Sequence, residues 1–136
     1  MKKIFTFMLV FVLLFAVGCG AVSDADTDLG HSKSYDEKEL EDAAHQINKH
    51  FRAMYNGCTL LTVKYDGDAT AKDNLDYCRE LEPDKDYVDC VVFTSSFETS
   101  EHCDTTLEPN QTYEDWQWYL AREKGGEWEL VMEGQG

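Results

Sequence analysis

The stretch from Tyr113 to Met132 constrains the fold more than any other, because two runs rich in Trp, Tyr, Val and Leu flank Lys124-Gly125-Gly126-Glu127. Two adjacent glycines tolerate the positive φ that a two-residue type I′ turn demands, so the segment reads as a β-hairpin. Such a turn sets Arg122 against Glu129, Ala121 against Leu130, Leu120 against Val131 and Tyr119 against Met132. One face then carries Trp118, Leu120 and Val131, the other Tyr119, Leu130 and Met132. Both faces are partly apolar, which implies a sheet covered on one side and lining something on the other.

Upstream, Leu40, Ala43, Ala44, Ile47, Phe51, Met54 and Tyr55 recur at three- and four-residue steps and predict an amphipathic helix. Ser34-Tyr35-Asp36-Glu37 fits a capping box at its start, and Asn56-Gly57 supplies its stop. From Cys58 to Tyr65 the chain alternates as a strand, with Leu61, Val63 and Tyr65 against Leu60, Thr62 and Lys64. Asp66-Gly67-Asp68 breaks it. Thr70-x-x-Asp73 then caps a second, shorter helix with Ala71, Leu75, Cys78 and Leu81 on one side and Pro83 beyond its end. Tyr87 to Phe97 places Val88, Cys90 and Val92 on one face and Val91, Phe93 and Phe97 on the other, the mark of a central strand. Pro109-Asn110 marks a loop before the hairpin, and the formal sequon Asn110-Gln111-Thr112 reads as turn chemistry. The fold class expected is therefore α+β: a long N-terminal helix packed on a bent antiparallel sheet of about four strands, with a short second helix.

The first residues carry an address. Lys2-Lys3 precede an apolar run of 14 residues, Ile4 to Val17, too short for the ~20 residues that span a bilayer, so residues 1–18 read as a secretory signal. Ala16-Val17-Gly18-Cys19 resembles a bacterial lipobox, with Ala16 where Leu is usual. The resemblance implies that Cys19 becomes the mature N-terminus, carrying a thioether-linked diacylglycerol and an amide-linked acyl chain such as palmitate. The protein would then sit on the outer, extracytoplasmic face of the cell membrane, and two or three acyl chains at ~0.8 kcal/mol per buried methylene anchor it stably. Gly20 to Lys33, rich in Gly, Ala, Ser, Asp and Thr, reads as a flexible tether, which leaves residues 34–136 as the folded domain. Loss of residues 1–18 removes two lysines and no acid, moving the formal charge from −15 to −17. So acidic a surface repels phosphate backbones and anionic headgroups, which argues against nucleic acid and against adhesion to a membrane surface by charge.

Four cysteines remain, Cys58, Cys78, Cys90 and Cys103, and an even number in an exported domain suggests two disulfides. Zinc is the rival, but no Cys-x-x-Cys pair exists. Three pairings are open. If Cys58–Tyr65 runs antiparallel to Tyr87–Phe97, Cys58 lies near the loop that holds Cys103, and Cys90 lies near the second helix and its Cys78. That ranks Cys58–Cys103 with Cys78–Cys90 ahead of Cys58–Cys78 with Cys90–Cys103.

Little points to catalysis or to a cofactor. Asp24-x-Asp26-x-Asp28 starts like a calcium loop but has Leu29 at the sixth position and Tyr35 at the twelfth. His45 and His50, five apart, cannot share a metal from one helix face and read as solvated. No Gly-rich phosphate loop, His-Glu-x-x-His or Gly-x-Ser-x-Gly occurs. Asp89, Asp115 and Tyr119 are the candidates for a cavity acid or base; Trp116, Trp118 and Tyr119, with Trp128, are candidates for a ligand platform, against core packing as the alternative.

Gly57-Cys58-Thr59-Leu60, then Pro109-Asn110-x-Thr112-Tyr113-x-x-Trp116-x-Trp118-x-Leu120-x-Arg122, then Gly125-Gly126-x-Trp128-x-Leu130 together resemble a group of uncharacterised exported small proteins and lipoproteins of Gram-positive anaerobes. The resemblance covers roughly Tyr35 to the C-terminus. It implies a cystatin-like or nuclear-transport-factor-2-like domain, a bent sheet wrapping a long helix, and carries no activity with it. The expected function is a membrane-tethered, non-catalytic binding module for an envelope protein or a small ligand, with a small hydrolase or isomerase using a cavity carboxylate as the alternative.

Overall fold

The computed structural model describes residues 20–103 and 106–136; the signal at 1–18 and Cys19 lie outside the described residues. The elements are β1 (Asp26–Asp28), α1 (Glu37–Met54), β2 (Cys58–Tyr65), α2 (Asp68–Asp73), α3 (Leu75–Leu81), β3 (Tyr87–Thr99), β4 (Thr112–Glu123) and β5 (Glu129–Gln135). They form an α+β fold around a five-stranded sheet in the order β1-β2-β3-β4-β5, with β3 at its centre. The sheet is mixed, not purely antiparallel, because β1 runs parallel to β2.

β1 revises the expected flexible tether. Asp26, Thr27 and Asp28 stand opposite Thr62, Val63 and Lys64, and Ala21 bridges Thr59. All three β1 side chains are exposed. The edge of β2 pairs with β1 through main-chain groups, and Val22, Ala25 and Leu29 on either side pack against the core.

α1 buries Leu40, Ala43, Ala44, Ile47 and Phe51 against Leu60, Val63, Val91, Phe93, Trp118 and Leu120 of the sheet. Its capping box is Asp36 with Glu39, two residues later than Ser34 with Glu37: Asp36 accepts from the Glu39 N–H at 2.8 Å and Glu39 accepts from the Asp36 N–H at 3.1 Å. Gly57, at φ 79°, ends the helix as expected. Met54 departs from the apolar stripe and is 60 % exposed, while the next residue, Tyr55, turns into the core. The short helix is split at Asn74 into α2 and α3. On the sheet face away from α1, Cys78, Tyr87, Cys90, Val92 and Ala121 make a second, smaller core, flanked by Leu75, Tyr119 and Val131.

β-Bulges break the alternation that the sequence suggests. The register slips between Leu60 and Thr62, so Leu60 joins Val63 and Tyr65 in the core while Leu61 is only half-buried. Another slip at Val88 leaves that residue 40 % exposed. In the hairpin, Tyr119 faces Met132 as expected, but the register then slips and sets Leu120 against Leu130 and Ala121 against Glu129. One residue of slip exchanges the two faces. Leu130 therefore packs with the α1 core and Val131 with the smaller one. The turn is not type I′. Gly126 N–H donates to Glu123 O at 2.9 Å and only Gly125, at φ 72°, takes positive φ, as at the third position of a type II turn.

Candidate functional site

A cleft of about 920 Å³ lies between one flank of α1 and the segment that includes and follows β1. Leu40, Ala44 and Asn48 stand one helical turn apart and form its floor, with Glu37 and Glu41 beside them. The opposite wall, residues 27–32, has a single hydrophobic foothold, Leu29, half-buried against the α1 core, and is otherwise polar. Asp68 holds it. Its carboxylate accepts from Ser32 Oγ at 2.6 Å, Lys33 N–H at 2.8 Å, Ser34 N–H at 3.3 Å and Tyr65 OH at 2.8 Å. The Ser32 hydroxyl, the Lys33 amide and the Tyr65 phenol favour the ionised form and hold the Asp68 carboxyl down at about 2. Gly30, at φ 59°, turns the wall over an Asp28 carboxylate that accepts its N–H at 2.9 Å.

The cleft is acidic and incompletely satisfied. Asp28, Asp36, Glu37 and Glu41 line it without any Lys or Arg. Asn48 Oδ1 is buried and accepts no hydrogen bond from any described donor. A buried amide oxygen without a donor is costly, and this one is left unmet among the described residues.

Of the three candidates for a cavity acid or base, only Asp89 enters a constellation. Arg122 Nε donates to Asp89 Oδ2 at 2.9 Å, Tyr35 OH donates to Asp89 Oδ1 at 3.3 Å, and the other arm of Arg122 bonds Glu39. Trp128 lies under the guanidinium, with its ring centre 4.3 Å away, and donates its indole N–H to Glu39 O at 2.9 Å. Burial, followed by the Asp89 charge, pushes the Tyr35 phenol up to about 12. Both Asp89 oxygens are engaged, and its charge is shared with Glu39 across the one Arg122 guanidinium, which makes it a structural tie. The arrangement ties α1, β3, β4 and the hairpin together. A smaller cleft of about 420 Å³ reaches Tyr35 and Asp89 alongside Lys72. Asp115 is a bulge residue at φ 57°, opposite the slip between Ser95 and Phe97. Tyr119 OH donates to Gln117 Oε1 at 2.8 Å, on the sheet face away from α1.

The aromatic candidates do not share a surface. Trp118 is fully buried and Trp128 is 4 % exposed. Trp118 Nε1–H is bonded to Ser95 Oγ at 2.7 Å. Trp116 packs edge-on against Tyr55, Phe97 and Tyr113, and Tyr119 belongs to the other face with Tyr77. Trp116, Trp118 and Tyr119 are thus core and rim residues rather than a common platform. His45 is exposed, but His50 is not simply solvated. Its Nε2 lies 3.1 Å from Glu133 Oε2, its ring meets Tyr55 and Trp118 edge-on, and Tyr55 OH bonds the other Glu133 oxygen.

Asp68, Arg122, Glu39 and Asn48 escaped the sequence reading because each acts across more than 30 residues or from a helix flank. The one available signal was Asp66-Gly67-Asp68, read only as a break. The four cysteines are free thiols. Cys78 Sγ lies 3.3 Å from Cys90 Sγ in the smaller core. Burial, with a contribution from Cys103, pushes the Cys58 thiol up to about 11. Gly57 packs so tightly on the Cys103 loop that a Cβ there would lie 2.9 Å from Cys103 Cα. Among the described residues no three His, Cys, Asp or Glu side chains gather to hold a metal, and no helix is long and apolar enough to cross a membrane. No protein-family model, curated protein or solved structure matches the chain.

Proposed function

We propose that this chain is an extracytoplasmic lipoprotein, anchored to the cell membrane through Cys19, whose domain is a non-catalytic binding module for a small cationic ligand. The observation that carries the binding half is the cleft between α1 and residues 27–32, with four carboxylates, no Lys or Arg and an unmet acceptor at Asn48 Oδ1. A ligand with an ammonium or guanidinium group supplies a countercharge to these carboxylates and a donor to Asn48 Oδ1, beside a lining that also holds His31 and His45. The anchor half rests on Lys2-Lys3, the apolar run and the lipobox-like tetrapeptide. The fold on this reading is cystatin-like or nuclear-transport-factor-2-like, supported by the way α1 lies across the antiparallel run β2 to β5.

In an oxidising compartment the cysteines pair as Cys78–Cys90 and Cys58–Cys103. Each bridge forms by exchange with a disulfide donor, which takes up the two electrons and two protons of the thiol pair. The 3.3 Å separation of Cys78 and Cys90 supports the first and the packing of Gly57 on Cys103 the second.

Calorimetric titration of the mature domain with short polyamines and Lys- or Arg-containing dipeptides tests the binding half. Binding that weakens with salt and in Glu37→Gln/Glu41→Gln supports it. Equal affinity for neutral isosteres, or no binding to any of these cations, contradicts it.

A further inference from the structure

The point at which the chain enters the domain fixes how an anchored domain would face its membrane. Gly20 is buried against the last turn of α1: its N–H donates to Arg52 O at 3.1 Å, and a Cβ there would lie 2.5 Å from Phe51 O. Ala21 is bound on both sides, N–H to Cys58 O at 3.0 Å and O from Leu60 N–H at 2.8 Å. Cys19 is the next residue, one peptide unit or ~3.8 Å from Gly20 along the chain. No flexible spacer separates the lipid-bearing residue from the fold.

The molecule has two poles along α1, which at 18 residues is about 27 Å long. At the far pole, Arg122 reaches Glu39 in the first turn of α1, placing the hairpin turn there with one end of the cleft. At the near pole, Tyr55 meets Trp116, Cys58 stands opposite Thr99, and Trp116 pairs with Gln135. Gly136 N–H closes on Asp115 O at 2.9 Å. Gly20 enters at this near pole.

The end of α1 beside Gly20 shows apolar and basic groups that a bilayer surface can take. Met54, 60 % exposed, is the most exposed large apolar side chain of the described residues. Lys49 and Arg52 are exposed in the second half of α1, on other sides of the helix from Met54, whereas Glu37, Glu39, Glu41 and Asp42 all stand in its first half, with Lys38 among them. The bulk charge of −17 after removal of residues 1–18 is therefore not spread evenly: this helix shows basic and apolar groups where the anchor enters and acid where the cleft is. Off the helix this pole also carries exposed acids, Glu98 and Glu101 beside Gly57 and Glu114 and Asp115 beside the C-terminal residues.

We infer that the pole formed by the last turn of α1 and residues 100–102 is a lipid-contacting surface. Arg52 and Lys49 meet headgroup phosphates, Met54 enters the interface, and the acidic cleft is directed away from the bilayer. This rests on the anchor proposed above.

The mature chain lipidated at Cys19, in phosphatidylcholine–phosphatidylglycerol nanodiscs carrying a gadolinium-chelate headgroup lipid, provides the test by nuclear magnetic resonance. Loss of amide signal at 52–57 and 100–102 is expected, with signal retained at 30–37 and 124–126, and the contrast should shrink in Arg52→Glu/Met54→Asp. A lipidated chain that co-floats with the discs but shows even or reversed signal loss, or an unchanged contrast in the double variant, overturns the surface while leaving the anchor standing. Absence of acyl mass on Cys19 and of co-flotation overturns the anchor and the surface together.

Discussion

Trp128 was a candidate for a ligand platform, and its surroundings now give its removal a definite cost. The indole is 4 % exposed, meets Tyr35 edge-on with ring centres 5.6 Å apart, and carries Arg122 on its face. Trp128→Ala should cost about 3–5 kcal/mol, the range for deleting a large buried ring. Within it, the hydrogen bond to Glu39 O contributes about 1 kcal/mol. The Arg122 contact contributes about 1–2 kcal/mol, since that side chain is only 20 % exposed. Trp128→Phe keeps most of the ring and loses the N–H, so about 1–2 kcal/mol is expected. Against a typical stability of about 5–15 kcal/mol, the alanine variant is weakened but measurable, and the phenylalanine variant guards against one that fails to fold. Urea melts of both, with an Arg122→Met double-mutant cycle, read these quantities. A loss below about 1 kcal/mol for Trp128→Ala would refute the reasoning, as would a cycle with no coupling between Trp128 and Arg122.

The two most constrained turn glycines should respond differently from Gly126. Gly57→Ala adds a Cβ 2.5 Å from His102 O at φ 79° and should cost well over the ~1 kcal/mol of a left-handed residue, whereas Gly125→Ala at φ 72° meets open space and should cost only that. Gly126→Ala, without positive φ, should be the mildest; equal losses at all three by denaturant melt would contradict the turn geometry. Acid should loosen the wall of the cleft. The folded carboxyl of Asp68, held at about 2, lies below the ~3.9 of an unfolded Asp. Its stabilisation is therefore present above ~4 and is lost as pH falls toward ~2, and Asp68→Asn should flatten that part of the urea-midpoint profile. An unchanged acid limb in Asp68→Asn would remove Asp68 from its assigned place. In exported protein, non-reducing digestion at Lys85 should leave the Cys78 and Cys90 peptides joined, and recovery of a Cys58–Cys78 peptide would contradict the proposed pairing.

Elements whose cause is local were legible in the sequence. Leu40 to Phe51 carry a helical stripe that the core does use, Gly57 ends it with positive φ, and the two-faced apolar run from Val88 to Phe97 marked a strand that proved central. Where a bulge intervenes, a period-two reading assigns the wrong face, as at Leu60, Leu130 and Val131. β1 was hidden because Asp-Thr-Asp has no strand propensity and is held by the open edge of β2. The cleft was hidden for a related reason: its wall stands where one carboxylate, Asp68, reaches 34 to 36 residues back to Ser32 and Ser34. Trp118 shows the limit of composition, since the same aromatic type serves a platform or a core, and burial alone separates the two.

The central claim is that Cys19 carries lipid and holds a binding domain at the outer membrane face. Metabolic labelling with a palmitate analogue, followed by membrane fractionation of the full chain and of Cys19→Ala, tests it most directly. Label confined to the intact chain, in the membrane fraction, is the predicted result; label that persists in Cys19→Ala, or mature protein recovered unlabelled in the medium, would contradict it.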